Sequence, residues 1–279
     1  MSILRNQMIE QMQLRGFSSR TIDAYIGCIV QLSSYFNKSP DQLSEEEIRK
    51  YYYYHIVDKQ LSKTWVNQSI SALKLLYTEV LKREWNRLSI PRPKRQHKLP
   101  QVLSMEEVRQ ILLALTNLKH KAVLTTVYSA GLRLSEVCKL KPADIDSKRM
   151  LIRVQQAKGR KDRYTILADT TLELLREYWK QYHPQQWLFE TAPSRAMSER
   201  TVQEIFHHAL DKTNIQKKVG IHSLRHSFAT HLMEQGVALP IIQQLLGHSS
   251  LKTTSIYMHV QQYSMQSVSS PLDRVFFYK

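Results

Sequence analysis

Apolar residues recur every three or four positions through most of residues 1 to 87, and this is the spacing of one buried stripe on an α-helix. The pattern predicts a helix near the start, a second from Ser19 to Phe36, a third from Ser44 to Lys59 and a fourth from Lys63 to Trp85, with turns at Gly16 and Pro40. Ser44 followed by Glu47 is a capping-box pair, able to satisfy amides at the start of the third helix. The periodicity lapses at IPRPKRQHKLPQ, residues 90–101, where three prolines and five Lys, Arg or His side chains argue for an extended basic connector. Helical spacing resumes at Ser104, with Glu107 completing another capping box and Val108, Ile111, Leu112 and Leu115 forming a stripe.

Between Met150 and Leu167 the period changes to two. LIRV and YTIL read as paired strands about the basic turn QQAKGRKDR, and helices are expected again from Asp169 to Tyr182 and from Ser198 to Asp211. The expected fold is therefore mainly α with a small antiparallel β-sheet in the C-terminal domain. Its expected divisions are a helical domain over 1–89, a linker over 90–101 and a second domain over 102–279. No internal repeat breaks this plan, although YYYYH at 51–55 is locally unusual; on a helix most of these tyrosines belong to the core and its rim, the alternative being stacking on bases or bonding to phosphates.

Composition narrows the function. A chain of 279 residues with 42% hydrophobic content can form two real cores. It carries 40 Lys and Arg against 24 Asp and Glu, a net charge of +16, and the excess is shared: 16 basic and 9 acidic residues in 1–100, 24 and 15 in 101–279. Two basic halves fit a clamp on nucleic acid better than a neutral enzyme with a basic tail. Cys28 and Cys138 lie far apart without metal-ligand spacing, so neither a disulfide framework nor a zinc module is expected and a reducing, cytoplasmic location is. The start lacks an apolar signal core and no segment has the length of a membrane span.

The chemistry concentrates between His222 and Val260. Leu224, Phe228 and His231 share one side of a helix beginning near His222, while His222, Arg225, His226 and Ala229 fall roughly opposite, so one face is expected to pack and the other to present cations and imidazoles. A further helix is expected with Pro240 in its first turn, Ile242, Leu245 and Leu246 as its stripe and Gly247 as its left-handed cap, placing His248 just past a sharp stop. Ser250 can cap a short helix that carries Tyr257 towards His248 and Arg225. Taken singly, an arginine is usually a surface ion-pair partner and a tyrosine is usually packing. His222, His226 and His231 could alternatively suggest a metal, but no HExxH glutamate accompanies them, so no metal is expected.

The motifs HSLRH, LLGH and SIYMHV resemble those of the tyrosine recombinases, the phage-integrase and Xer-like family. Upstream, YSAGLRLSEVCKL resembles that family's first arginine motif, with Arg133, and QAKGRKDRYTIL resembles its lysine hairpin, with Lys158 and the nearby alternative Lys161. Arg133, Lys158, His222, Arg225, His248 and Tyr257 stand in the family's order, across about half the chain. The resemblance implies a compact, two-domain site-specific recombinase in which Tyr257 becomes joined to a 3′-phosphate and Lys158 is the general acid. Paired arginines suit phosphate oxygens, and imidazoles can donate or accept protons near neutrality. A phosphotyrosine conserves the energy of the cut bond, so rejoining needs neither metal nor ATP, and no cofactor is expected. His226 and Glu136 are expected as hydrogen-bonding support.

Double-stranded DNA is the implied partner, held by a homotetramer or paired recombinases on two sites, with a directionality factor as a further possible partner. The tail QQYSMQSVSSPLDRVFFYK would dock on a neighbouring protomer or on its own domain. A type IB-like topoisomerase is the nearest enzyme alternative, and a DNA-binding protein with a decayed active site is the alternative from another class.

Overall fold

The computed structural model describes residues 3–85, 90–93, 100–157, 161–248 and 254. The chain divides into two compact units, Met1–His97 and Lys98–Lys279.

The first unit is helical: α1 (Ile3–Leu14), α2 (Ser19–Phe36), α3 (Glu45–Tyr53) and α4 (Lys63–Leu75). Local sequence sets their ends. Ser18 caps α2 by accepting from the Thr21 amide at 3.3 Å, and Asn37 stops it in a left-handed conformation at φ 51°. The expected capping box at α3 is present, Ser44 accepting from Glu47 N–H at 3.2 Å while Glu47 accepts from Ser44 N–H at 2.9 Å. Ile22, Ile26, Ile29 and Leu32 of α2 and Val66, Ile70 and Leu73 of α4 meet in one core with Met8, Met12 and Ile48.

Two expectations need correction here. The helices over Ser44–Lys59 and Lys63–Trp85 do not remain α-helical to those ends: each widens into a π turn, over Tyr54–Asp58 and Leu76–Val80. The Lys59 and Leu81 amides reach back five residues, to the carbonyls of Tyr54 and Leu76, each at 2.9 Å. Such widening rotates the following side chains off the 3.6-residue stripe, and hydrophobic spacing cannot reveal it. In the tyrosine run, Tyr51 and Tyr52 are core residues, the latter hydrogen-bonded through its hydroxyl to Ser69 at 2.9 Å, whereas Tyr53 is exposed.

The second unit contains α5 (Met105–Leu113), α6 (Leu118–Ser129), α7 (Leu134–Val137), β1 (Ile145–Asp146), β2 (Leu151–Ala157), β3 (Lys161–Ile166), α8 (Asp169–Tyr182), β4 (Glu190–Ala192), β5 (Arg195–Ala196), α9 (Glu199–Asp211), α10 (His222–Glu234) and α11 (Leu239–Leu246). Strands β1, β2 and β3 form an antiparallel sheet in that order, with Ile152 opposite Thr165 and Val154 opposite Arg163. Helix α6 supplies Ala122, Val123, Leu124 and Val127 to the main core, and α10 and α11 close a smaller one through Phe228, Ala229, Met233, Ile242 and Leu246.

The sheet inverts the usual alternation. On β3 the inward positions are Arg163 and Thr165, 8% and 0% exposed, while Tyr164 and Ile166 face outward. Thr165 donates to the Ala130 carbonyl at 2.9 Å, and Arg163 finds a carboxylate, so both buried polar groups are satisfied.

Candidate active site

The site is assembled on three short sequence features. Helix α6 ends at Ser129 with Ala130 as its C-cap, and Gly131 turns the chain at φ +60°, where a Cβ would collide with the Phe228 ring. This turn delivers Arg133 to the N-cap of α7. Helix α10 carries Arg225. Helix α11 begins with Pro240 in its first turn and stops at Gly247, φ +62°, so that His248 follows immediately.

Helix α10 differs from the two-faced helix expected from its sequence. His222 is exposed and His226 half-buried, but Arg225 and Ala229 are 5% and 0% exposed. Arg225 is buried because polar acceptors surround it: one Nη donates to the Gly131 carbonyl at 2.5 Å, the other to the Leu246 carbonyl at 2.6 Å and to His248 Nε2 at 3.2 Å.

Arg225 is one of three arginines on the end of α11. Arg163 Nε donates to the Leu245 carbonyl at 2.8 Å, and Arg133 Nη2 to the Gly247 carbonyl at 3.2 Å. Three consecutive carbonyls that a helix terminus would otherwise leave without partners, at its negative end, are thus each taken by a guanidinium. Glu136 closes the cluster. Its carboxylate accepts from the Arg133 amide at 2.7 Å, from Arg133 Nη1 at 2.8 Å and from both Nη of Arg163 at 2.7 and 2.8 Å, with Arg225 3.7 Å away. Burial alone would raise the Glu136 pKa, but the Arg163 fork, the Arg133 amide and the Arg225 charge outweigh it and hold the group at about 2.

Among the described residues, three arginines thus share the one ionised carboxylate of Glu136. His248 responds to them. Burial foremost, then Arg225, Arg133, Arg163 and His226, lower its pKa to about 4, so it is neutral at pH 7. Arginine can only donate, so His248 Nε2 is the acceptor, which leaves the ring proton on Nδ1, donating to Thr254 Oγ1 at 2.9 Å. His226 is likewise lowered to about 4, by burial, His222 and Arg225.

The structure therefore brings Arg133, Arg225 and His248 together and places His222 one turn from Arg225 on the same helix. Lys158, Tyr257 and the helix expected after Ser250 lie outside the described residues. Glu136 and His226 occupy supporting positions. Arg163 and Thr254 were not singled out by the sequence reading. The period-two pattern of KDRYTIL could have flagged Arg163, since it places Arg163 and Thr165 on the same face, but the apolar Tyr164 and Ile166 argue for the other face as the buried one. His231 is 5% exposed and bonded through Nδ1 to the Tyr128 hydroxyl at 2.9 Å, and among the described residues no group of three or more His, Cys, Asp or Glu could hold a metal ion.

A helical first unit, followed by a helical unit with a hairpin sheet and with two arginines and a histidine gathered at one helix end, has the architecture of the tyrosine recombinase class. The phage integrase family model matches residues 101–263, and the model of the phage integrase N-terminal SAM-like domain matches residues 4–87. The chain belongs to the phage integrase family and is a tyrosine-type site-specific recombinase. It is 42% identical over 275 residues to a putative integrase/recombinase, y4qK, of Sinorhizobium fredii (strain NBRC 101917 / NGR234), covering 98% of this chain and 89% of that protein. A tyrosine recombinase of Thermosipho africanus (strain TCF52B) is 31% identical over 266 residues, 88% of this chain and 91% of its own. The fold matches that of the XerH site-specific recombinase bound to palindromic difH substrate in a post-cleavage complex, with a TM-score of 0.72 and 24% identity over 86% of this chain and 76% of that one. Among the described residues no helix is long and apolar enough to cross a membrane.

Proposed function

We propose that this recombinase cuts and rejoins two DNA duplexes through Tyr257. The Tyr257 hydroxyl oxygen attacks the scissile phosphorus and forms a 3′-phosphotyrosine bond. The bond from phosphorus to the 5′-oxygen breaks, and that oxygen takes a proton from Lys158. The 5′-hydroxyl of a second strand then attacks the phosphotyrosine, restoring a diester and releasing Tyr257. Arg133 and Arg225 hold the non-bridging oxygens, and His222, together with His248 once it exchanges its bond to Arg225 or Thr254, donates to them or accepts the phenolic proton.

The observation that carries this reading is the preassembled cluster of Arg133, Arg225 and neutral His248, where among the described residues three arginines share one carboxylate. A phenol of ordinary pKa about 10 is a poor nucleophile at neutrality, and adjacent cations favour its ionised form. Arg133, whose side chain is 22% exposed against 6% for Arg225, is the member of the pair more open to a phosphate. The reading extends to double-stranded DNA gripped by two domains joined through 90–101, a homotetramer or paired recombinases on two sites, a directionality factor, and action in the cytoplasm without metal or ATP. DNA-bound XerH and the basic charge of both halves of this chain support the DNA partner.

The test incubates wild type and Tyr257→Phe with a library of nicked, end-labelled duplexes from the DNA flanking the coding sequence. Under denaturing conditions wild type should carry covalent DNA on its 3′ side and the variant none, while both bind. Equal adducts in both would remove Tyr257 as nucleophile. Binding without adduct in either would favour a DNA-binding module.

A further inference from the structure

Arg163 donates to both oxygens of Glu136 and to the carbonyl of Leu245, and its side chain is 7% exposed. A group so enclosed does not meet DNA itself. Its contacts nevertheless reach both halves of the phosphate clamp. Glu136 also holds Arg133, by amide and guanidinium, and Leu245 is followed by the Leu246 and Gly247 carbonyls that orient Arg225 and Arg133. The fit is close: a Cβ at Gly247 would lie 2.6 Å from Arg163 Cδ, so the turn ahead of His248 is moulded around this side chain.

Charge gives the same answer. Glu136 has two oxygens for three arginines, and Arg163 takes both in a fork, which leaves the attraction on Arg133 shared and that on Arg225 at 3.7 Å. Were Arg163 absent, the carboxylate would be free to draw Arg133 and Arg225 onto itself and away from an incoming phosphate.

We propose that Arg163 is a positioning residue for strand cleavage: it occupies Glu136 and fixes the α11 terminus, so that Arg133, Arg225 and His248 are held facing the scissile phosphate. The inference rests on the strand-transfer reading above.

The experiment compares the full chain as wild type, R163K, R163M and R163M/E136Q on the nicked duplex recovered in the adduct assay, measuring single-turnover adduct formation from pH 6 to 9, DNA affinity and thermal melting. For R163M we expect affinity within about threefold of wild type and adduct formation about 100-fold slower, the scale of a small misplacement of reacting groups. R163K should recover about tenfold of that loss, because an ammonium restores charge but cannot span both carboxylate oxygens and the carbonyl. The acidic limb of the rate profile should move to higher pH in R163M, since a cation near His248 is gone. If R163M does not fold, R163M/E136Q, which removes the pair together, keeps the question open to measurement: it should fold and remain slow.

A wild-type rate in either R163M or the double variant would overturn the inference, as would a loss of adduct matched by an equal loss of DNA binding. No adduct in wild type would remove the strand-transfer reading and this inference with it.

Discussion

Replacing Glu136 by Gln exchanges one oxygen for an NH2 group at the centre of the arginine cluster and should destabilise the second unit severely. The native carboxylate accepts four hydrogen bonds from Arg133 and Arg163. A carboxamide keeps one acceptor oxygen and turns an NH2 group towards guanidiniums that can only donate. At 6% side-chain exposure there is little water to compensate. Breaking a buried ion pair from one side costs about 3–5 kcal/mol.

An independent magnitude comes from protonation. Holding the Glu136 pKa at about 2 rather than 4.5 is worth about 3 kcal/mol at neutral pH, at about 1.4 kcal/mol per pH unit. Because the folded value is depressed, that stability is fully present above pH 4.5 and is lost as pH falls towards 2. The wild-type advantage over E136Q should accordingly be constant from pH 8 to about 5 and shrink below 4.5. Calorimetry between pH 8 and pH 3, with amide exchange in α6 and α10 identifying the second unit's transition, measures both features. A difference below about 1 kcal/mol at pH 7, or one that persists undiminished to pH 3, would refute the account of Glu136 as the cluster's ionised centre.

Gly131→Ala forces a Cβ into the Phe228 ring at a positive φ and should cost about 2–4 kcal/mol, combining left-handed strain with overpacking; a melting temperature within 1 °C of wild type, measured by circular dichroism, would count against the tight turn. Thr254→Val keeps the shape at a fully buried position but removes the acceptor for His248 Nδ1–H, so adduct formation should slow while DNA binding persists. In the same variant and in wild type, nitrogen-edited NMR of the imidazole should place the His248 titration well below 6.5, and a wild-type value near 6.5 would show the ring to be neither buried nor crowded by cations as described.

The sequence was legible wherever one local rule decided the outcome. Ser44 with Glu47, Ser104 with Glu107, Pro240 at the start of α11 and Gly247 at its end each lie where capping chemistry alone would put them. It was less legible where tertiary contacts overrode a local pattern. The π turns after Tyr53 and Leu75 keep helical backbone bonding while breaking the 3.6 period, so apolar spacing passes straight through them. On α10 and β3 hydrophobicity pointed the wrong way: Arg225 and Arg163 are buried, and Tyr164 and Ile166 exposed, because acceptors on other segments outweigh the cost of removing guanidiniums from water. Those acceptors lie 94 residues away at Gly131 and 82 residues away at Leu245, distances over which no periodicity operates.

That burial has a functional consequence. The three arginines are already fixed by backbone carbonyls and one carboxylate, so in the proposed reaction little reorganisation would be needed when a phosphate arrives. Neutral acceptors hold these cations in place without cancelling their charge, whereas a second carboxylate would hold them equally well and weaken the positive field. A phosphodiester carries one negative charge and gains a second as the phosphorus becomes five-coordinate. In the proposed strand transfer, an excess of arginines over carboxylates favours the transition state over the bound substrate, and this difference, rather than tight binding itself, would accelerate the cut. Helix α11 ends where it does, with its last carbonyls turned to the arginines, because Gly247 permits the stop; the same residue that terminates the helix thereby sets the geometry of the charge.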